Sequence, residues 1–485
     1  KIDIMNFLEY KNEKLEKHTE LEMSSKKLYI THLKTFFTFI NENLDVDIKL
    51  STIFKINIKL QKRTPKGVEK DDVKILENYL ANINFNFIKI INFIEEKEHD
   101  ILFILAHIEK RVNLHKSALK SISSNDDEKF TSYFLDELIL YSIEQRASDI
   151  HIEKYQDLCL FKFRVDGRLR IFFSFDEELF RVFSSFVKLI SNLDMTQIRL
   201  ALDGRFSRNI NDKKYDFRLS TMPTIQAESI VLRILDNKNI DKRLDDLGLS
   251  ENIYEDLKDV LKFTQGLILI SGPTGSGKTT TLYSILKELN CDDKKIITVE
   301  DPIEYKIDSI NQVPINNKVG LSFELVLKNI LRQDPDIIFI GEIRDKFSLD
   351  IALQASLTGH LVLASIHSSS SVETITRLID LKADPFLIST TLKAVMAQRL
   401  VLAHCKSCEN GCKECNFTKF YDRTSIAEIL KIDEQISSLI FNKASFNELK
   451  EYLKNINFKT ILDDGKQKVK NGLTTLEEVY KVVNY

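Results

Sequence analysis

Residues 266–280 read Gly-Leu-Ile-Leu-Ile-Ser-Gly-Pro-Thr-Gly-Ser-Gly-Lys-Thr-Thr, a short apolar run that meets a glycine-rich turn and continues into a helical pattern. Gly272, Gly277, Lys278 and Thr279 have the G-x-x-x-x-G-K-[ST] spacing of a phosphate-binding loop. Glycines allow backbone N–H groups to turn inward around phosphate oxygens, and the positive end of the following helix favours an anion. The stretch therefore predicts a buried strand, a phosphate-binding loop and a helix.

Two side chains of this loop have specific roles in such a site. The Lys278 ammonium is expected to reach the β- and γ-phosphates, and the Thr279 hydroxyl is expected to take one Mg²⁺ position. The alternative is a glycine turn with a chance Gly-Lys-Thr, but the strand and helix that the motif requires flank it on both sides. The predicted ATP-binding residues are Gly272, Pro273, Thr274, Gly275, Ser276, Gly277, Lys278, Thr279 and Thr280.

Composition excludes several other classes of protein. The 485 residues suggest two to four domains, and 43% hydrophobic with 29% charged residues are the proportions of a globular protein. A net charge of −3 gives no overall attraction to DNA, so direct nucleic-acid binding is not expected. No apolar run approaches the ~18 residues of a membrane span, and the first residues lack the features of a signal peptide. A cytoplasmic protein is expected, with membrane contact only through partners.

Periodicity divides the chain into regions. Apolar residues recur at helical steps through residues 1–120, which predicts a helical docking region. Residues 121–129 are polar and predict a linker. Residues 130–236 predict a small α+β domain with a hairpin at Asp166-Gly167, and the charged stretch 237–247 predicts a hinge.

The remaining residues, 248–485, predict the nucleotide-binding domain. Strands and helices alternate from 248 to 400, which is typical of a doubly wound parallel sheet. Residues 416–485 are expected to be helical, with a last helix over 476–483 that Thr475 and Glu478 cap.

Two further strands of this domain end in carboxylates. The run 296–299 leads into Glu300, and the run 337–340 leads into Gly341-Glu342. Ligands of open α/β sheets lie beyond the carboxyl ends of the strands, so both acids are expected near the γ-phosphate and its metal. Hydrolysis needs one carboxylate for the Mg²⁺ shell and one to orient or deprotonate water. The pattern does not assign which acid does which, and either acid alone could be a strand-end cap.

His367 ends a third strand, within Gly-His-Leu-Val-Leu-Ala-Ser-Ile-His at 359–367. An imidazole there could respond to the γ-phosphate or stabilise charge, although a histidine beside a strand is often structural.

Four of the six cysteines form two C-x-x-C pairs, Cys405 with Cys408 and Cys412 with Cys415. Four thiolates in this arrangement suit tetrahedral Zn²⁺ in a structural role. The alternative is four reduced free thiols. Cys159 and Cys291 are isolated, which is typical of a reducing compartment.

Four segments together resemble the Walker A, aspartate, Walker B and histidine boxes of secretion-superfamily ATPases, which power type II secretion and type IV pilus assembly. The segments are GPTGSGKTTTLY at 272–283, TVEDPIEY at 298–305, LRQDPDIIFIGEIRD at 331–345 and TGHLVLASIH at 358–367. The resemblance extends over about residues 130–485, including RASDIHIE at 146–153 and DFRLSTMP at 216–223.

The resemblance implies a multidomain fold: a helical amino-terminal region, a small PAS-like α+β domain, and a RecA-like α/β ATPase domain with a tetracysteine insertion and a helical carboxyl-terminal part. It also implies a hexameric ring in which ATP is sandwiched between the α+β and nucleotide domains. Arg205 and Arg218 match the family's Asp-Gly-Arg and Asp-Phe-Arg positions and are expected to act as arginine fingers, with Arg233 a weaker third. Their alternative role is in surface ion pairs.

The function that the resemblance implies is a hexameric cytoplasmic ATPase at the inner face of the inner membrane. It would power assembly of a type II secretion pseudopilus or a type IV pilus, including one that serves DNA uptake, through ATP-driven domain closure. Its expected cofactors are ATP, Mg²⁺ and Zn²⁺, and its expected partners are an inner-membrane platform protein and other secretion or pilus components. A retraction motor, a DNA-translocating ATPase and a nucleotide-gated scaffold are the alternatives. The sequence departs from the family in two places: only residues 409–411 separate the cysteine pairs, and Ser368 to Ser371 replace the usual Thr-Asn after His367.

Overall fold

A computed structural model describes residues 107–123, 128–155, 158–235 and 242–483. Most of the predicted docking region, residues 1–106, lies outside the described residues. The described chain forms two compact units: the first contains the residues up to Leu235 together with Asn410–Lys419, and the second contains the rest.

The first unit is an antiparallel six-stranded sheet with helices, in the strand order β3-β2-β1-β6-β5-β4. Asp166 and Gly167 form the turn between β2 and β3 with φ angles of 50° and 85°, the left-handed values of a tight hairpin turn. The elements are α1 (Ile108–Ser123), α2 (Glu128–Glu144), β1 (Ala147–Tyr155), β2 (Leu158–Val165), β3 (Arg168–Asp176), α3 (Glu177–Ile190), β4 (Leu202–Ile210), β5 (Lys213–Pro223) and β6 (Glu228–Leu235).

Aromatic residues fill the core of this unit. Phe134 of α2 packs edge to face against Phe161 of β2 and Phe183 of α3, with ring centroids 5.8 Å apart in both pairs. Such contacts add to the free energy of apolar burial. Both α1 and α2 extend into the predicted linker 121–129, of which residues 124–127 lie outside the described residues.

The second unit contains a seven-stranded sheet in the order β13-β12-β7-β11-β10-β8-β9. Leu267 and Leu269 of β7 pack into the core on one face of the sheet, and Ile268 and Ile270 pack into the core on the other. Helices therefore cover both faces, as the short apolar runs predict. The strands are β7 (Gly266–Ser271), β8 (Ile296–Glu300), β9 (Asn311–Pro314), β10 (Ile337–Ile340), β11 (Leu361–Ile366), β12 (Leu392–His404) and β13 (Phe420–Lys431).

The carboxyl-terminal part corrects one expectation. Residues 416–485 were expected to be helical, but Phe420–Lys431 form β13, which pairs antiparallel with β12 at the edge of an otherwise parallel sheet. The sheet is thus mixed. Ser425 to Leu430 are all buried, because this strand packs on both faces and so lacks the polar alternation that marks a strand in a sequence.

Helices surround this sheet and continue to the end of the described chain. Thr475 caps the last helix by accepting a hydrogen bond from the Glu478 N–H at 3.3 Å, and the helix ends at Val482. No helix in the described ranges is both long and apolar enough to cross a membrane. The helices are α4 (Glu251–Val260), α5 (Lys278–Leu289), α6 (Phe323–Ile330), α7 (Lys346–Leu357), α8 (Ser371–Asp380), α9 (Pro385–Thr391), α10 (Glu434–Phe441), α11 (Phe446–Asn455), α12 (Ile461–Lys470) and α13 (Leu476–Val482).

Candidate functional site

The predicted phosphate-binding loop joins β7 to α5. Gly277 begins the helix with φ = 91°, a left-handed conformation that side chains rarely adopt. A Cβ atom at Gly277 would lie 2.8 Å from the Gln398 side chain, and one at Gly272 would lie 2.6 Å from the Gln398 carbonyl oxygen. The loop therefore rests directly on β12, and both positions require glycine.

Lys278 is buried within the loop. Its Nζ atom donates hydrogen bonds to the carbonyl oxygens of Gly272, at 2.7 Å, and Pro273, at 3.0 Å. Burial lowers the pKa of Lys278 to about 8, against the opposing effect of the Glu342 carboxylate. The ammonium is thus held inside the loop, where it can meet phosphate oxygens.

Glu342 follows β10 and is the centre of a charged cluster. Its carboxylate lies 3.2 Å from His367 Nε2 and accepts a hydrogen bond of 2.9 Å from Arg344 Nε. Burial and the nearby Lys278 ammonium lower the pKa of His367, against the opposing effect of the Glu342 carboxylate, and so favour its neutral imidazole. Lys278, Glu342 and His367 therefore lie together at the carboxyl ends of adjacent parallel strands, β7, β10 and β11.

Two arginines near this cluster were not singled out from the sequence. Arg344 lies two positions after Glu342 inside the Walker B-like segment, so its spacing alone could have drawn attention to it. Arg399, on β12, is buried and donates a 2.8 Å hydrogen bond to the Ser369 carbonyl oxygen. Arg399 thereby fixes the serine segment after His367, in which Ser370 caps α8.

Glu300 ends β8 and is almost fully buried. Its carboxylate accepts hydrogen bonds from the Tyr283 hydroxyl, from the Thr298 hydroxyl at 2.6 Å and from Gln312 Nε2 at 3.3 Å. Burial raises the pKa of Glu300, and the three donors oppose that shift. The two strand-end acids therefore have different environments, since Glu342 is partly exposed among cations and Glu300 is enclosed by neutral donors.

The predicted arginine fingers lie on the first unit. Arg205 of β4 is directly opposite Arg218 of β5, and Arg218 is directly opposite Arg233 of β6. Arg233 is paired with Asp149 at 2.9 Å, and Arg205 is exposed. Like charges opposite each other on a sheet are unfavourable, so an anion beside this arginine row would relieve the repulsion that remains after Asp149 pairs with Arg233.

The four predicted metal ligands form one cluster. The Sγ atoms of Cys405, Cys408, Cys412 and Cys415 all lie within 4.8 Å of one another, and those of Cys412 and Cys415 are 3.8 Å apart. A tetrahedral zinc with Zn–S bonds of about 2.3 Å requires sulfur atoms about 3.8 Å apart. The short spacing between the pairs therefore still allows a tetrahedral site, and the donor set fits Zn²⁺.

Oxygen donors for Mg²⁺ are also present. Thr279 is exposed in the first turn of α5, and Glu342 provides a partly exposed carboxylate near Lys278. Hydroxyl and carboxylate oxygens are the ligands that Mg²⁺ prefers.

Residues 124–481 match the family described as type II/IV secretion system protein. The chain belongs to this family. As a secretion-family protein it is an ATPase, as the phosphate-binding loop and the strand-end acids predicted. The chain is 39% identical to the type II secretion system protein HxcR of Pseudomonas aeruginosa, over 71% of this chain and 76% of that protein. It is 38% identical to the type II secretion system ATPase E of Vibrio cholerae, over 74% of this chain and 76% of that protein.

Solved structures share the fold of this secretion-family ATPase. The Legionella pneumophila ATPase DotB superposes with a TM-score of 0.59 at 24% identity, over 72% of this chain and 95% of DotB. The pilus retraction motor PilT with bound ADP superposes with a TM-score of 0.53 at 26% identity, over 72% of this chain and 96% of PilT.

Proposed function

We propose that this secretion-family ATPase powers assembly of a type II secretion pseudopilus or a related type IV pilus. The observation that carries the proposal is its identity of 38–40% with several type II secretion proteins, over about three quarters of their length. The retraction motor PilT is 26% identical. The cysteine cluster also supports assembly, because the family resemblance implies that assembly ATPases carry such an element and that retraction ATPases generally lack it.

The residues around the loop would divide the work of hydrolysis. Lys278 and the loop N–H groups would hold the phosphates, and Thr279 with Glu342 would hold Mg²⁺, which neutralises phosphate charge when bound. Glu300 would orient and deprotonate the attacking water, because its raised pKa makes its ionised form the stronger base. Neutral His367, which contacts Glu342, would respond to the γ-phosphate through that carboxylate.

The first unit would complete the site. We propose that the arginine row, through Arg205 and Arg218, closes on the phosphates and that this closure is the power stroke. An arginine supplied at closure stabilises transition-state charge only when the parts meet. Six chains would form a ring that acts on an inner-membrane platform protein from the cytoplasmic side, and Zn²⁺ would stabilise the cysteine cluster.

Two substitutions test the enzymatic part of the proposal. Lys278→Ala and Glu342→Gln are expected to lower ATP turnover about a hundredfold or more, since Lys278 would stabilise phosphate charge directly and Glu342 would hold the Mg²⁺ that does so. Both variants should keep the circular dichroism spectrum of the wild type and should fail to support secretion or piliation. Phosphate release is the measurement.

A matched control is Glu324→Gln, which removes an exposed carboxylate that pairs with Lys328 on α6 of the same unit. Its turnover should equal that of the wild type. Normal turnover in Lys278→Ala and Glu342→Gln would contradict the assignment. Stimulation of phosphate release by DNA, and not by the platform protein, would favour a DNA translocase instead.

A further inference from the structure

Three hydrogen-bond donors surround the Glu300 carboxylate, and other contacts set the direction of two of them. The Tyr283 oxygen accepts the Glu304 N–H at 3.2 Å, so the Tyr283 hydroxyl proton is available to Glu300. Gln312 Oε1 accepts the Ile307 N–H at 2.7 Å, which turns the Gln312 amide NH₂ group toward Glu300.

The third donor is the Thr298 hydroxyl, on the same strand as Glu300. Three donors, two of them with directions set by other contacts, form a site for an ionised carboxylate, because a hydrogen bond to a charged group is stronger than a neutral one. The three donors thus hold the Glu300 carboxylate in one orientation and favour its charged form, although burial outweighs them and leaves the pKa of Glu300 raised.

Tyr283 differs from the other two donors in its position. It belongs to α5, the helix that begins at Lys278 directly after the phosphate-binding loop. Its ring is fully buried and packs edge to face on Tyr305, with ring centroids 4.6 Å apart. A movement of the loop and its helix would therefore be passed to Glu300 through one hydroxyl group.

We propose that Tyr283 is a positioning residue for ATP hydrolysis, which orients the Glu300 carboxylate and ties it to the helix of the phosphate-binding loop. The proposal rests on the proposed role of Glu300 as the water-activating base. A tyrosine at this place could instead be only a packed core residue. Tyr283→Phe separates the two roles, because it keeps the ring and removes only the hydroxyl.

The first experiment is steady-state ATP hydrolysis by the full chain carrying Tyr283→Phe. Loss of a hydrogen bond to a charged group is expected to lower kcat about tenfold or more and to leave KM for ATP within about twofold of the wild type. The acid limb of the kcat profile should move to higher pH, because the lost donor favoured the ionised form of Glu300. Glu304 and Tyr283 itself are the titratable groups that act on Glu300.

The matched control is Tyr254→Phe, which removes another tyrosine hydroxyl that donates to a carboxylate, that of Asp245. It should keep the wild-type kcat and pH profile. Thr298→Val removes a different donor from the same carboxylate and should also lower kcat and move the acid limb upward. It serves as the second test if Tyr283→Phe does not fold.

A double-mutant cycle with Glu300→Asp decides whether Tyr283 acts through Glu300. If it does, Tyr283→Phe should lower kcat much less in the Glu300→Asp background than in the wild type. An equal loss in both backgrounds, or a Tyr283→Phe enzyme with wild-type kcat and pH profile, would overturn the proposal. Normal turnover in Glu300→Gln would instead overturn the role of Glu300 in the proposed function.

Discussion

At the scale of single residues, the lowered pKa of Lys278 predicts how nucleotide binding depends on pH. Its pKa of about 8 means that the amine is half neutral at that pH. Phosphate binding favours the charged form, so nucleotide affinity should fall as pH rises through 8. The decrease should approach about tenfold per pH unit above the pKa. Titration calorimetry with ADP between pH 7 and 9.5 measures it, and proton uptake should accompany binding at the upper end.

The comparison for this prediction is Lys278→Arg, whose guanidinium stays charged over the whole range. Its affinity is expected to be lower overall but flat with pH. A wild-type affinity that does not change between pH 7 and 9.5 would show that the Lys278 ammonium is already stabilised within the loop.

The sequence predicts the positions of residues that directly follow the carboxyl end of a strand. Glu342 and His367 could be placed beside Lys278, because the carboxyl ends of parallel strands share one edge of a sheet. Tyr283 and Gln312 could not be linked to Glu300, because their hydrogen bonds depend on side-chain directions across separate elements. Spacing along one chain carries no information on such directions.

At the scale of elements, β13 shows where periodicity is ambiguous. A strand buried on both faces has neither the two-residue nor the 3.6-residue pattern, and its identity depends on the partner strand. The strand β12 provides that partner, from Ala394 opposite Lys431 to His404 opposite Phe420. The four cysteines lie in the connection between these two strands, so the hairpin determines where the cysteine cluster forms.

We expect the structure of this connection between β12 and β13 to depend on a bound metal ion. Purified protein is expected to carry about one zinc per chain, since four thiolates suit one tetrahedral ion. Cys408→Ser combined with Cys412→Ser should abolish the metal and make residues 405–419 sensitive to proteases, because zinc binding contributes folding free energy. Metal analysis and limited proteolysis measure the two effects.

The control for the cysteine variants is Cys291→Ser, which removes an exposed thiol outside the cluster. It should retain the full metal content and the wild-type digestion pattern. Wild-type protein without zinc, in which all four cluster thiols react freely, would refute the metal site.

At the scale of the whole molecule, the two units show which boundaries a sequence can indicate. The change from alternating runs to short apolar runs predicts a boundary near residue 236. The sequence pattern does not indicate that Asn410–Lys419 belong to the first unit, because that membership depends on contacts between residues that are distant in sequence. The 2.9 Å hydrogen bond from Asn416 Nδ2 to Gln145 Oε1 is one such contact.

The last prediction concerns the arginine row of Arg205, Arg218 and Arg233 in the first unit and its proposed action on the phosphates bound by the second unit. If Arg205 and Arg218 stabilise transition-state charge, replacing either with alanine should lower kcat about a thousandfold and leave ADP affinity nearly unchanged, since the loop and Lys278 belong to the other unit. Lys213→Ala is the matched control, because it removes an exposed cation from the same strand as Arg218. If Arg205 and Arg218 serve only as surface charges, all three variants will hydrolyse ATP at the wild-type rate, and the stroke must then involve other groups.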